Sequence, residues 1–168
     1  MAQLTAFRAM RENPRLPVMA LKGIIGIQWG DEGKGKVIDW LASSADIVVR
    51  FQGGNNAGHT VVVDGDKIVL HLVPCGVLHK GKVSVIGNGV VVDPFVLADE
   101  MDRLEARGIT LTPEFLKIAA RAHVILPIHR RLDGLVEKFK GEGRIGTTGR
   151  GIGPTYGDKV LRTGLRFA

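Results

Sequence analysis

A glycine-rich loop between a predicted strand and a predicted helix is the feature that most constrains the fold of this chain. Gly23–Trp29 is a short apolar run typical of a buried strand, and Lys36–Ala45 carries apolar residues at helical spacing. Between them lies Gly30–Lys36, G-D-E-G-K-G-K, which fits the first seven positions of the phosphate-loop pattern G-x-x-x-x-G-K. Backbone N–H groups, a helix N-terminus and lysine side chains together favour a bound phosphate.

The eighth position departs from this pattern. Val37 stands where a serine or threonine normally offers a hydroxyl to Mg²⁺. Asp31 is the nearest residue that could hold the metal instead. A carboxylate inside a phosphate cradle repels the anion unless a cation lies between them, so Asp31 is the most informative residue of the loop. The alternative interpretation is a glycine-rich turn that only begins a helix.

The rest of the chain alternates strand and helix signals, which predicts an α/β fold with a mainly parallel sheet flanked by helices. Further strands are predicted at Asp46–Phe51, Val83–Ile86 and Phe115–Ala120. Asp64-Gly65 separates the apolar runs Val61–Val63 and Lys67–Leu72 and predicts a β-hairpin insertion, because glycine accepts the positive φ of a tight turn.

Two more helices are predicted. The first begins with Asp93 as N-cap and Pro94 in the first turn, and ends near Gly108. Its apolar stripe consists of Leu97, Met101 and Leu104. The other covers Arg130–Lys140, and the glycine-rich residues 141–159 are predicted to be a loop because they show no periodicity.

Two further loops carry side chains that suit a nucleotide. Gly53–Thr60, G-G-N-N-A-G-H-T, follows a predicted strand, and ligands of open α/β sheets bind beyond the C-terminal ends of strands. Asparagines suit a base or ribose, and His59 can exchange a proton near neutral pH. The third loop begins with Gly146–Pro154, G-T-T-G-R-G-I-G-P. Its hydroxyls and cations would suit a second phosphate: Thr147, Thr148, Arg150, Lys159 and Arg162.

The remaining histidines are expected to be structural: His71, His79, His123 and His129. His71, Cys75 and His79 recur every four residues. Pro74 and Gly76 disfavour the helix that would bring them together, so a zinc site is not predicted.

Composition excludes several functional classes. The 168 residues are 45% hydrophobic and 24% charged, as in a globular domain, and no run reaches the roughly 18 apolar residues of a membrane-spanning helix. A single cysteine excludes an internal disulfide and fits a reducing compartment. The net charge of +6 alone suggests nucleic acid, and the 5% aromatic content disfavours it, so no nucleic-acid or membrane partner is expected.

Three motifs together resemble the adenylosuccinate synthetase family. They are Q-W-G-D-E-G-K-G-K at Gln28–Lys36, G-G-x-N-A-G-H-T at Gly53–Thr60, and G-T-T-G-R-G-I-G-P followed by D-K-V-x-R-x-G at Gly146–Pro154 and Asp158–Gly164. The resemblance implies a phosphate-loop NTPase-like fold and GTP-dependent ligation of IMP and L-aspartate to adenylosuccinate, the first committed step from IMP to AMP.

The resemblance also implies the site. GTP would be bound by Gly30, Asp31, Glu32, Gly33, Lys34, Gly35, Lys36, Gly58, His59 and Thr60. IMP would be bound by Asp31, Glu32, Gly33, Lys34, Asn56, Ala57, Gly58, His59, Thr148 and Arg162. Asp31 and the carbonyl of Gly58 would hold Mg²⁺.

Roles follow from the same resemblance. Asp31 would be the base toward N1 while the 6-oxygen of IMP is phosphorylated. His59 would be the proton donor, and aspartate would then displace the phosphate. The family implies a cytoplasmic homodimer in which Arg162 reaches the IMP site of the partner subunit.

Residues 1–20 are expected to be a leader, disordered or non-native, and residues 21–168 the N-terminal portion of the synthetase domain, incomplete relative to the family fold. The guanine- and aspartate-binding residues are expected downstream, so these 168 residues alone are expected to be inactive. Two alternatives stay open: a non-catalytic nucleotide-binding module, and another phosphate-loop NTPase that does not need IMP.

Overall fold

The computed structural model describes residues 21–27, 33–56, 58–63, 65–144 and 146–168. The chain divides into two units, residues 1–32 and residues 33–168. The predicted leader, residues 1–20, lies outside the described residues.

In the first unit, residues 21–27 form neither helix nor strand, and Leu21, Ile25 and Ile27 are exposed. The prediction of a buried strand is therefore wrong for residues 23–27, and Gln28 and Trp29 lie outside the described ranges. An apolar run becomes a strand only where a neighbouring strand satisfies its backbone N–H and C=O groups. Among the strands that the structure describes, none pairs with this run.

The second unit is built on a parallel sheet, as the sequence predicts. Strands β1 (Ile47–Arg50), β4 (Val83–Ile86) and β6 (Leu116–Ile118) lie in the order β1-β4-β6. Val48 is opposite Ser84, and Val85 is opposite Lys117. Two short strands, β5 (Val91–Val92) and β7 (His123–Val124), form a second parallel pair.

A β-hairpin interrupts this parallel arrangement. Strands β2 (His59–Val63) and β3 (Asp66–Leu70) pair antiparallel, with Val63 opposite Asp66. Gly65 has φ 90°, the left-handed backbone that the turn requires. The predicted hairpin is therefore confirmed, with Asp64 outside the described residues.

Four helices belong to the second unit: α1 (Lys34–Ala42), α2 (Pro94–Glu105), α3 (Pro127–Lys140) and α4 (Ile152–Leu161). Short 3-10 turns lie at Cys75–Leu78 and Gly141–Gly143. No helix among the described residues is long and apolar enough to cross a membrane.

Helix α2 confirms the predicted capping. The Asp93 carboxylate accepts hydrogen bonds from the backbone N–H groups of Phe95 (3.1 Å) and Val96 (3.2 Å). Leu97 and Leu104 are buried in the core that this helix shares with the sheet. Asp93 also pairs with Arg130 of α3, which ties the two helices together at the start of α2.

Helix α4 corrects the prediction of a loop over residues 141–159. The described residues from Gly141 to Gly151 are irregular or 3-10, and Ile152–Leu161 is helical. Gly153 and Gly157 lower helix propensity, but Pro154 lies in the first turn, where its missing N–H costs no intrahelical hydrogen bond. Contacts of this helix with the rest of the fold outweigh the poor local propensity.

Candidate functional site

An open cleft of about 540 Å³ lies beyond the C-terminal ends of β1 and β4, with α4 as one wall. This is the position at which open α/β sheets bind ligands. Its lining combines aromatic, amide, hydroxyl and ammonium groups: Phe51, Gln52, Gly53, Asn56, Gly89, Ile152, Tyr156 and Lys159.

The cleft requires unusually close packing of two glycine-containing loops. A Cβ on Gly89 would lie 2.0 Å from the carbonyl oxygen of Phe51, and one on Gly54 would lie 2.4 Å from Cδ1 of Ile152. Glycine is therefore needed at Gly89 to let backbone approach backbone. The close approach of Gly54 to Ile152 brings the second motif into contact with α4, and the first residues of α4 belong to the third motif.

Tyr156 of α4 connects this helix to the two loops of the cleft that contain Gly53 and Gly89. Its hydroxyl accepts a hydrogen bond from the N–H of Gly53 (2.8 Å) and donates one to the carbonyl of Gly89 (2.7 Å). No sequence pattern predicts a role for Tyr156. Ile152, Tyr156 and Lys159 lie at i, i+4 and i+7 on α4, so a helical interpretation of this segment would have placed them on one face.

Two arginines of the site bind backbone carbonyls. Arg50, at the end of β1, donates to the carbonyl of Gly54 (2.6 Å) and to that of His71. Burial lowers the pKa of Arg50, and the charge of Glu100 opposes that shift. Arg150 of the third motif donates to the carbonyl of Asn55, so it fixes the second motif.

Lys159 lies on the cleft wall. Its ammonium group donates to the carbonyl of Asn88 (2.6 Å) and lies 3.4 Å from Nδ1 of His123. His123 is buried, and burial, followed by Lys159 and Arg166, lowers the pKa of its ring. Lys159 is thus held at the turn between β4 and β5.

His59 lies where the first and second motifs meet. A Cβ on Gly35, in the first turn of α1, would lie 3.2 Å from Cβ and Cγ of His59. Burial lowers the pKa of the half-buried His59 ring most, and the charges of Arg50, Lys34 and His71 lower it further. A helix N-terminus with basic side chains and an imidazole near it favours the binding of an anion.

The start of α1 shows the backbone that a phosphate loop needs. Gly33 has φ 79°, which only glycine adopts without strain, and its carbonyl accepts the N–H groups of Lys36 (3.1 Å) and Val37 (3.3 Å). Gly33 and Lys34 are therefore placed at the helix N-terminus that faces His59.

The other predicted site residues are distributed unevenly. Gly30, Asp31, Glu32 and Ala57 lie outside the described residues. Asn56 lines the cleft, and Gly58 and Thr60 lie beside His59 at the start of β2. Thr148 and Arg162 are exposed and do not line the cleft.

In the described parts of the chain, no three His, Cys, Asp or Glu side chains form a group that could hold a metal ion. His79 contacts Asp39 (2.9 Å), and burial raises the pKa of the Cys75 thiol to about 11, so this thiol stays protonated. Of the two Mg²⁺ ligands that the resemblance implies, Asp31 lies outside the described residues, and the carbonyl of Gly58 is an oxygen donor of the kind that Mg²⁺ takes.

Curated proteins of known family match this sequence closely. The profile of the adenylosuccinate synthetase family matches residues 23–168. Adenylosuccinate synthetase of Syntrophobacter fumaroxidans is 64% identical over 149 residues, which cover 89% of this chain and 35% of that protein. The protein of the same name from Halothermothrix orenii is 62% identical over 148 residues, covering 88% of this chain and 34% of its own length.

Solved structures give the same result. Fully ligated adenylosuccinate synthetase from Plasmodium falciparum matches with a TM-score of 0.75 at 45% identity, over 85% of this chain and 33% of that one. The succinoaminodeoxyadenylate synthetase of cyanophage S-2L, bound to dGMP and dATP, matches with a TM-score of 0.60 at 26% identity, over 80% of this chain and 36% of that one.

The chain spans about a third of the length of the curated relatives that it matches. Within that span, the family profile covers nearly the whole sequence and the α/β architecture agrees with that of the ligated synthetase. The chain belongs to the adenylosuccinate synthetase family.

Proposed function

We propose that this chain supplies the phosphate-binding and IMP-binding parts of an enzyme that joins IMP and L-aspartate into adenylosuccinate, with GTP as co-substrate. The observation that carries the proposal is the contact between the first turn of α1 and His59. It supports the proposal because phosphoryl transfer depends on positive charge and hydrogen-bond donors around the phosphate, and a helix N-terminus, Lys34 and an imidazole can supply them.

In the first step, the 6-oxygen of IMP attacks the γ-phosphorus of GTP and the bond from that phosphorus to the GDP oxygen breaks. We assign Asp31 as the base that takes the N1 proton, which makes the purine oxygen nucleophilic. This assignment rests on the place of Asp31 in the first motif.

In the second step, the amino group of aspartate attacks C6, the C6–O bond breaks and inorganic phosphate leaves. We assign His59 as the proton donor that is paired with the phosphate transferred from GTP to the 6-oxygen. Without an anion, burial and neighbouring cations hold the pKa of His59 low. A phosphate next to the ring reverses the sign of the local charge, so the protonated form is favoured when it is needed.

Mg²⁺ belongs to the proposal because both assigned ligands, Asp31 and the carbonyl of Gly58, are oxygens. When bound, the ion would supply positive charge against the phosphates. Lys34 and Lys36 contribute positive charge from the first turn of α1.

A homodimer in the cytoplasm completes the proposal. Arg162 is exposed and lies outside the lining of its own cleft, which supports a role at the IMP site of a partner subunit. The single cysteine supports a reducing compartment.

The proposal is tested on protein purified as its own cells make it. Phosphate release is expected only when GTP, IMP and L-aspartate are all present. Asp31→Asn is expected to lower kcat by about 10²–10⁴-fold and to leave IMP affinity largely intact. Asp66→Asn, an exposed change in β3, serves as the control. Near-normal turnover of Asp31→Asn would reject the base assignment.

A non-catalytic nucleotide-binding module is the alternative that the sequence motifs leave open. It predicts saturable binding of IMP or GTP with no phosphate release under any combination of substrates. Another phosphate-loop NTPase predicts GTP hydrolysis that does not depend on IMP. The same assay therefore separates all three functions.

A further inference from the structure

The turn that carries Arg162 has an unusual backbone. Arg162 ends helix α4 with φ 63° and ψ 27°, and it is the one non-glycine residue with positive φ among the described residues. A left-handed conformation is costly for a residue with a Cβ and persists only where surrounding contacts enforce it. Such a strained backbone indicates that the chain must leave α4 in one particular direction.

The contacts that enforce this turn converge on Asp158. Its backbone carbonyl accepts the N–H groups of Thr163 (3.0 Å) and Gly164 (3.2 Å), which closes the chain after Arg162. Its carboxylate Oδ1 accepts the Thr163 hydroxyl at 3.3 Å. Arg162, whose own N–H also donates to this carbonyl, and the two residues after it are thus tied to one aspartate.

Asp158 is in turn held by a buried histidine of helix α3. Nε2 of His129 lies 3.0 Å from the Asp158 carboxylate, and Nδ1 of His129 receives the backbone N–H of Leu126 at 2.9 Å. Because Nδ1 accepts a hydrogen bond, the ring proton lies on Nε2, which donates it to Asp158. The His129 side chain is 3% exposed, so the packing of α3 fixes its orientation.

Helix α3 also holds the other end of α4. The Asp133 carboxylate accepts the N–H of Gly151 at 2.9 Å, in a buried position. A Cβ on Gly151 would lie 2.8 Å from the backbone nitrogen of Arg130. With both ends of α4 attached to α3, the direction in which Arg162 leaves the helix is set by α3.

We propose that His129 and Asp158 are positioning residues that fix the strained turn at Arg162 and aim its guanidinium at the nucleoside monophosphate in the partner subunit. The pair touches no substrate and acts through Arg162 alone. This inference rests on the proposed function, in which Arg162 serves the site of the other subunit. The competing role is that His129 and Asp158 support the cleft of their own subunit, because Tyr156 and Lys159 line that cleft and lie on the same helix as Asp158.

Isosteric variants separate the two hydrogen bonds of His129. His129→Asn keeps an acceptor near Nδ1 for Leu126 and removes the donor to Asp158. His129→Gln keeps a donor near Nε2. In protein expressed from the altered chromosomal gene, His129→Asn is expected to raise KM for IMP about tenfold with KM for GTP unchanged, and His129→Gln is expected to restore it. Equal loss in both variants, or equal rises in both KM values, contradicts the proposal.

Mixed dimers decide between the partner's site and the pair's own site. If His129 acts through Arg162, His129→Asn subunits mixed with Asp31→Asn subunits regain activity, because one site then has an intact Asp31 and an intact, aimed Arg162. His129→Asn subunits that are mixed with Arg162→Leu subunits are expected to regain no activity. Support of the pair's own cleft predicts the opposite pattern and overturns the inference.

Two controls keep the test decisive. Asp31→Asn mixed with Arg162→Leu must recover activity once subunit exchange is verified. Failure of that control rejects the shared site of the proposed function, and this inference with it. If His129→Asn does not fold, Asp158→Ala gives the same test, because the Asp158 side chain is 41% exposed and its loss leaves no cavity in the core. Complementation of Arg162→Leu by Asp158→Ala overturns the inference.

Discussion

At the scale of single residues, burial and the basic side chains near His59 lower the pKa of its ring. The neutral ring is favoured because burial and three neighbouring basic residues, Arg50, Lys34 and His71, lower its pKa below the ordinary 6.5. In the unfolded chain the ring would take up a proton near that value. Folding therefore releases a proton between the two pKa values, and the His59 contribution to stability falls as the pH drops below about 6.5.

The same shift predicts proton uptake when ligand binds. Under the proposed function, IMP with GTP would bring phosphate against the His59 ring and raise its pKa, so binding at pH 6.5–7.5 is expected to take up part of one proton. Calorimetric titration in buffers of different ionisation enthalpy measures this uptake. His59→Asn is expected to abolish it, and His79→Asn, which changes a histidine that contacts Asp39, is expected to retain it. Uptake that persists in His59→Asn would show that another group titrates.

Glu100 illustrates a buried charge that stabilises the fold. It is 1% exposed, and its carboxylate accepts the N–H groups of His71 (2.7 Å), Leu72 (2.8 Å) and Val73 (3.4 Å). In Glu100→Gln an amide NH₂ faces one of these donors. The free energy of unfolding is expected to fall by about 2–4 kcal/mol in urea titrations. Glu105→Gln, an exposed change at the end of the same helix, is expected to have little effect.

At the scale of elements, local turn and cap chemistry was sufficient to predict much of the fold. The hairpin at Gly65, the cap at Asp93 and the strand Val83–Ile86 are found where the sequence places them. Helix α4 was missed because its stability comes from tertiary contacts such as those of Tyr156, which no local pattern records. For the same reason the cleft wall could not be predicted, and the nearness of the first loop to His59 was implied only by the family resemblance.

Two glycines near the cleft are expected to respond to alanine in opposite ways. A Cβ on Gly89 would lie 2.0 Å from the Phe51 carbonyl oxygen, so Gly89→Ala must separate two loops and is expected to destabilise the protein by about 1–3 kcal/mol. A Cβ on Gly157, within α4, meets nothing within 4 Å, so Gly157→Ala is expected to stabilise by about 0.5–1 kcal/mol. Thermal and urea unfolding measure both. Equal effects at the two positions would show that the loops do not approach each other as described.

At the scale of the whole molecule, ligand binding and turnover are expected to separate. The described cleft and the N-terminus of α1 lie within residues 33–168, whereas the relatives that carry the synthetase name are matched over only 35% and 34% of their lengths. In a chain that contains only the proposed anion site, the affinity for a nucleotide is expected to come from the contacts with its phosphate. Under the proposed function, turnover also needs the aspartate and the guanine to be held, and the three motifs assign no residue of this chain to either contact.

The prediction is that the 168-residue chain, produced by itself, is stabilised by IMP or by Mg²⁺ with GTP and releases no phosphate. A ligand at 100 times its Kd is expected to add about 2.7 kcal/mol to the free energy of unfolding. Differential scanning calorimetry with and without nucleotide measures the shift, and Lys34→Ala, at the start of α1, is expected to reduce it. Inosine, which lacks the phosphate, is expected to give a smaller shift than IMP because the anion site stays empty. Phosphate release by this chain alone would place the aspartate and guanine contacts within it.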